Sequence, residues 1–143
     1  RDEQIAGDDP GFAAALRDAG LPADDLAQAG RTLYAYRTLA GHLAGYGGFE
    51  RYGQDALLRS VVVPPADRSR GLGRNLLALL QRRAYDQGVR QAWLLTETAA
   101  RFFERAGFKT VGREQAPPAI LATRQAQSLC PASATLMTRT IAV

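Results

Sequence analysis

One cysteine, one histidine, one tryptophan and one lysine stand in a chain of 143 residues, and each scarcity excludes something. With Cys130 alone, no internal disulfide and no cysteine-based zinc cage can form, which leads us to expect a cytoplasmic protein rather than a secreted scaffold. No apolar run approaches the roughly 20 residues that a membrane span needs. The polar start Arg1-Asp2-Glu3-Gln4 is followed by no apolar stretch, so the pattern of a signal peptide is missing as well. Disorder is excluded by the opposite evidence, 46% hydrophobic against 22% charged residues. The length predicts a single domain over residues 1–143, built on one core.

The near-absence of lysine qualifies the charge. The net charge is +4, yet of the 18 basic residues only Lys109 is not an arginine. The arginines are scattered and interleaved with Asp55, Asp67, Asp86, Glu97 and Glu104. A nucleic-acid binder concentrates its charge in a stripe or a tail, so no nucleic-acid partner is expected. The one concentration is Arg68, Arg70 and Arg74, on a glycine-rich turn. That suits a pocket for one phosphorylated ligand.

Punctuation divides the chain. Asp8-Asp9-Pro10 opens a helix over Phe12 to Ala19, closed by Gly20, and Asp24-Asp25-Leu26 predicts a short helical turn. Thr32 to Tyr36, Leu43 to Phe49 and Ala56 to Val63 are β-prone runs with short connections, at Ala40-Gly41-His42 and Arg51-Tyr52-Gly53. They predict an antiparallel meander. Pro64-Pro65 stops the third strand. Leu72, Leu76, Leu79/Leu80 and Ala84 then form one helical stripe, with Arg74, Asn75, Gln81 and Arg82 facing away, until Gly88. Gln91 to Thr96 predicts a strand parallel to the third, because a helix joins them. Thr98 is positioned to cap a short helix through Ala106, closed by Gly107, and Phe108 to Val111 starts another strand. Pro117-Pro118 opens a helix to about Leu129, and Ser133 to Ile141 predicts a last strand. The class is α+β.

The informative element is the strand, proline stop, Arg/Gly turn and amphipathic helix. A helix N-terminus leaves about four backbone N–H groups unpaired, and glycines allow a ligand close to them. Three arginines add charge, so the turn suits a pyrophosphate. It is no P-loop, since Gly-Lys-Ser/Thr is missing, and no dinucleotide fingerprint, since Gly71-Leu72-Gly73 lacks the third glycine.

The run Val61-Val62-Val63-Pro64-Pro65-Ala66-Asp67-Arg68-Ser69-Arg70-Gly71-Leu72-Gly73-Arg74 resembles the acetyl-CoA signature of the Gcn5-related N-acetyltransferases, the GNAT superfamily. A second family block follows, Leu94-Leu95-Thr96 and then Phe102-Phe103-Glu104-Arg105-Ala106-Gly107-Phe108. Within the superfamily the chain is similar to the arsenic-resistance N-acetyltransferases of the ArsN type. That similarity lies in Gly20-Leu21-Pro22, Leu58-Arg59-Ser60-Val61, Thr98-Ala99-Ala100 and Ser128-Leu129-Cys130-Pro131-Ala132-Ser133.

The resemblance implies a mixed central sheet flanked by helices, an antiparallel meander joined to a parallel pair that splays open. Acetyl-CoA is the implied co-substrate, bound in the splay without any metal. Backbone groups of Val61, Val62 and Val63 would pair with pantetheine as an added strand. Amides of Arg70, Gly71, Leu72, Gly73 and Arg74 would hold the pyrophosphate, helped by the side chains of Arg68, Arg70 and Arg74, and Ser69 is counted with these cofactor-binding residues. Phe103 occupies a cofactor-side position where many members carry a tyrosine that protonates the CoA thiolate. This is a departure, and it leaves another donor such as Tyr52, an unprotonated leaving thiolate, or an inactive domain as alternatives.

The implied activity is transfer of an acetyl group to the amine of a small amino-acid-like substrate, including glutamate-like arsenical compounds. Glu50, expected at the end of the second strand near the mouth of the splay, is the first candidate for the base. Glu97, directly after the other splayed strand, is the rival. His42 is set aside because its turn points away from the cofactor. Arg59, Arg51 and Arg124 are the candidates for a cationic fork around an α-carboxylate or arsinate. Acetylation of proteins or peptides, and a non-catalytic sensor of acetyl-CoA or of an arsenical at Cys130, remain open as alternatives. A homodimer is open too, through pairing or swapping at the final strand.

Overall fold

The computed structural model describes residues 2–5, 10–18, 31–37, 43–62, 72–123 and 134–142. Seven strands form one sheet, β1 (Asp2–Ile5), β2 (Arg31–Arg37), β3 (Leu43–Tyr52), β4 (Asp55–Val62), β5 (Gln91–Thr96), β6 (Lys109–Val111) and β7 (Thr135–Thr140). Their order across the sheet is β1-β2-β3-β4-β5-β7-β6. The helices are α1 (Pro10–Asp18), α2 (Leu72–Asp86), α3 (Ala100–Arg105) and α4 (Pro118–Leu121). β2, β3 and β4 form the expected antiparallel meander, and β4 runs parallel to β5 as a helical crossover requires. β1 was not expected from its polar sequence. It pairs antiparallel with β2 at the edge of the sheet.

Strand alternation sorts the apolar residues onto two faces. Phe49, Ala56, Leu58, Ala92, Leu94 and Met137 meet α2 and α3 on one side, through Leu76, Leu77, Leu80 and Phe103. Leu57, Trp93 and Leu136 point the other way and meet Ile120 of α4. The helical stripe of α2 differs from expectation at three positions. Leu77 is buried while Leu79 is exposed. Gln81 is buried rather than facing away, because its amide donates to Leu77 O and its carbonyl accepts from Arg139 (3.1 Å). A polar side chain with both ends satisfied can be buried at little cost.

Several boundaries move. β3 extends to Tyr52, so the turn is Gly53-Gln54 rather than Arg51-Tyr52-Gly53. Gly53 takes a φ of +66°, which a residue with a Cβ adopts only with strain. The N-cap of α3 is Ala99, without a side-chain cap. Thr96 Oγ1, not Thr98, accepts the Ala99 N–H. α4 ends at Leu121 instead of running on to about Leu129, and Thr123 Oγ1 donates to Ile120 O at its end. A 3-10 turn at Arg113–Gln115, which no sequence signal announced, precedes it. The turn at Asp24-Asp25-Leu26 and the residues Ala40-Gly41-His42 lie outside the described residues.

Candidate active site

The ladder between β4 and β5 has three rungs, Asp55 to Gln91, Ala56 to Ala92 and Leu57 to Trp93. Both strands then continue, β4 to Val62 and β5 to Thr96, without bonding to each other. The cause is visible in the opposite ladder. Gly48 pairs with Arg59 and Tyr46 with Val62, so β4 advances three residues while β3 advances two. The extra residue is a bulge at Ser60-Val61, and a bulge bends its strand and increases its twist. It also reverses the alternation, so that Leu58 and Val61 both pack toward the α2 core.

The closed end of the pair is clamped. Gln54 O accepts from the N–H groups of Arg90 (2.7 Å) and Gln91 (3.1 Å), and Asp55 Oδ1 accepts from Trp93 Nε1 (2.9 Å). The helix beyond the open end sits close, since Gly47 leaves no Cβ between β3 and α2. A Cβ there would lie 3.1 Å from Leu80 Cδ2 and 3.3 Å from Leu76 Cδ2.

Over the last rung, on the face away from α2, lies a chain of three polar side chains. Glu50 stands opposite Leu57, with Tyr52 two residues further along β3 and Arg59 two residues further along β4. Residues two apart share a face, and diagonal partners come within reach. Arg59 Nη1 donates to Glu50 Oε2 (3.1 Å), and Tyr52 Oη donates to Glu50 Oε1 (2.5 Å). Glu50 is 1% exposed and Arg59 3%, whereas Tyr52 is partly open. The expectation of a strand-end glutamate at an open mouth is therefore corrected. Glu50 is inside a strand and sealed, because β3 continues for two residues beyond it.

The other expected site residues are distributed as follows. Arg59 is brought to Glu50, which already engages its guanidinium. Arg51, one residue off in the alternation, faces the α2 side and donates to Gln87 O beyond that helix. It ties the hairpin to the helix end and is not brought to the Glu50 group. Glu97 lies in the exposed bend after β5. Phe103 is buried among Phe102 and Phe108 in the α2–α3 core, with ring centroids 5.1 and 5.8 Å away. Val61 and Val62 end β4, while Leu72, Gly73 and Arg74 open α2, where Gly73 is buried and Arg74 exposed. Val63, Arg68, Ser69, Arg70, Gly71, Arg124 and Cys130 lie outside the described residues. Tyr52 had been named only as a substitute donor. Its place beside Glu50 was signalled by Gly53-Gln54, since a two-residue turn there sets Tyr52, Glu50 and Gly48 against Asp55, Leu57 and Arg59. Among the described residues, no cluster of three or more His, Cys, Asp or Glu could hold a metal ion, and no helix is long and apolar enough to cross a membrane.

A parallel pair that opens after three rungs is the arrangement implied by the resemblance. The family pattern described as an acetyltransferase (GNAT) domain matches residues 28–110, more than half of the chain. The chain belongs to the GNAT acetyltransferases. A comparison with curated protein sequences finds no match. Among solved structures, the GNAT chain is similar to Rv2747 from Mycobacterium tuberculosis in complex with CoA, with a TM-score of 0.76 at 15% identity over 99% of each chain. It is also similar to N-acetylglutamate synthase from Neisseria gonorrhoeae complexed with coenzyme A and N-acetyl-glutamate. There the TM-score is 0.76 at 16% identity, over 100% of this chain and 35% of that one. Tetrahymena GCN5 gives 0.72 at 16% identity, over 92% and 84%. These likenesses establish the fold of the GNAT domain, with its mixed sheet and open parallel pair.

Proposed function

We propose that this acetyltransferase is a cytoplasmic enzyme that uses acetyl-CoA to acetylate the α-amine of a small amino-acid-like substrate, with a glutamate-like arsenical as its specific candidate. The observation that carries the reading is the end of the β4–β5 ladder at Leu57 and Trp93, where Glu50 is the β3 partner of Leu57. β4 beyond Leu57 offers a strand edge to the pantetheine amides. The start of α2, at Leu72, Gly73 and Arg74, offers amides and a cation to the pyrophosphate, together with Arg68, Ser69, Arg70 and Gly71 of the preceding turn. The residues present fit the co-substrate, and two of the similar structures hold coenzyme A. An acidic amino-acid substrate is supported by the N-acetyl-glutamate bound in one of those proteins. The arsenical is supported by the sequence motifs shared with arsenic-resistance acetyltransferases. Since Arg59 is engaged by Glu50, and Arg51 faces the other side of the sheet, the carboxylate or arsinate of the substrate falls to Arg124.

The test is CoA release from acetyl-CoA in the presence of L-glutamate, a panel of other amino acids, an amino-acid arsenical and short peptides. Turnover is expected with the acidic amino acid or the arsenical and not with the peptides. Release with peptides alone would replace this reading by peptide acetylation, and release with no amine would end it.

A further inference from the structure

The amine that attacks a thioester must first lose its ammonium proton, and Glu50 cannot take that proton by contact. Its carboxylate is 1% exposed, with one oxygen on Arg59 and the other on Tyr52. Of this chain of three, only Tyr52 is partly open. Its ring packs against the cluster of Leu57 and Trp93, the last rung of the ladder. Its hydroxyl is held 2.5 Å from Glu50, which stands opposite Leu57 of that rung. Phe103 has no hydroxyl and is buried on the opposite face of the sheet, and Glu97 is in an exposed bend outside this group.

From this geometry we propose that Tyr52 is the catalytic residue that exchanges the proton with the substrate amine, and that Glu50, oriented by Arg59, acts through it. The inference rests on the acetyl-transfer reading above. As the ammonium gives a proton to Tyr52 Oη, the phenolic proton of Tyr52 moves to Glu50 Oε1. This leaves a free amine, a neutral tyrosine and a neutral Glu50. The amine nitrogen then attacks the thioester carbonyl, the C–N bond forms, and the C–S bond breaks with its electron pair on sulfur. The remaining surplus proton on nitrogen goes to the thiolate, and Glu50 returns its proton to solvent through Tyr52. One ammonium and one acetyl thioester become one amide, one thiol and one released proton. Arg59 is a positioning residue, since its guanidinium holds the carboxylate in place beside Tyr52.

The experiment compares wild type, Tyr52→Phe, Glu50→Gln and the double variant, using acetyl-CoA and the fastest amine of the panel. Calorimetry with CoA alone serves as the measure of cofactor binding. Tyr52→Phe is expected to lower kcat by about 10²-fold or more, in the range of general acid–base catalysis, with CoA affinity within about twofold. Its residual rate should climb with pH toward the amine's own pKa, because a free amine no longer needs the relay; a merely structural loss would not recover this way. The double variant should be no slower than the slower single variant, as groups acting as one unit are not additive. Should Glu50→Gln fail to fold, the Tyr52→Phe rate and pH profile decide alone. A Tyr52→Phe rate within about threefold of wild type, a loss that pH does not relieve, or additive losses would overturn the role of Tyr52. Wild-type turnover with any of these leaves acetyl transfer standing, whereas no wild-type turnover removes both.

Discussion

Arg59 and Glu50 meet at 3.1 Å from neighbouring strands with neither side chain open to water. Each has been taken out of solvent, which costs several kcal/mol per ion, and each is tolerated because the other is there. The pair lies where β4 has just left β5, so two buried charges stand where the parallel ladder has ended.

That relationship predicts an asymmetric response to mutation. Arg59→Met alone should destabilise the protein by about 3–5 kcal/mol, since it takes the guanidinium away from a buried carboxylate. Arg59→Met combined with Glu50→Leu should recover most of the loss, because an apolar pair of similar volume needs no counter-charge. Urea unfolding of the two single variants and the double gives the coupling directly. A coupling near zero would mean that the two charges do not share a dry site.

Two glycines should respond to alanine for different reasons. At Gly48 a Cβ would stand 2.6 Å from Thr32 O and from Leu33 Cδ2, so β2 and β3 must move apart. Gly48→Ala is expected to cost about 1–3 kcal/mol, as overpacking does. At Gly53 nothing lies within 4 Å, but φ is +66°. Gly53→Ala should cost about 1–2 kcal/mol through the left-handed backbone alone. Thermal unfolding measures both, and only Gly48→Ala should also disturb the Glu50–Arg59 pair.

Gly47→Val places branched bulk where a single Cβ already meets Leu80 at 3.1 Å. The substitution should lift α2 from β3 and displace the helix start that opens on the parted strands. CoA affinity is expected to fall about tenfold or more, equivalent to about 1.4 kcal/mol. Calorimetric titration with CoA checks this, and an unchanged affinity would show that the packing of α2 does not set the cofactor site.

Trp93 is the only tryptophan, and it forms the last rung before the strands separate. Its emission should change saturably on titration with acetyl-CoA, with the same midpoint as calorimetry. Gly71→Asp should abolish that change, because it introduces bulk and negative charge where, in the proposed site, backbone would approach phosphate. A flat titration of wild type at concentrations that support turnover would place the cofactor away from this rung.

Local patterns carry much of the architecture. The apolar repeat of α2, the β-branched and aromatic runs of β2 to β5, and the stop at Gly88, whose φ is +98°, need only near neighbours in sequence to be read. Short range is also why the polar edge strand β1 and the brief helix α4 were misjudged, since neither has a periodic signal of its own.

What only tertiary structure decided is register and order. β7 inserts between β5 and β6 although it follows both in the chain, and no local pattern distinguishes that order from a simple succession. One extra residue at Ser60-Val61 decides which face Val61 occupies and helps end the ladder at Leu57 and Trp93. Moving the hairpin turn to Gly53-Gln54 took Glu50 from a strand end into a sealed site and set Tyr52 and Arg59 beside it. Sequence determined which side chains are capable of this chemistry, because capability belongs to the residue. The pairing of distant strands determined which of them meet, because a shift of one residue in a β-ladder turns a side chain to the other face.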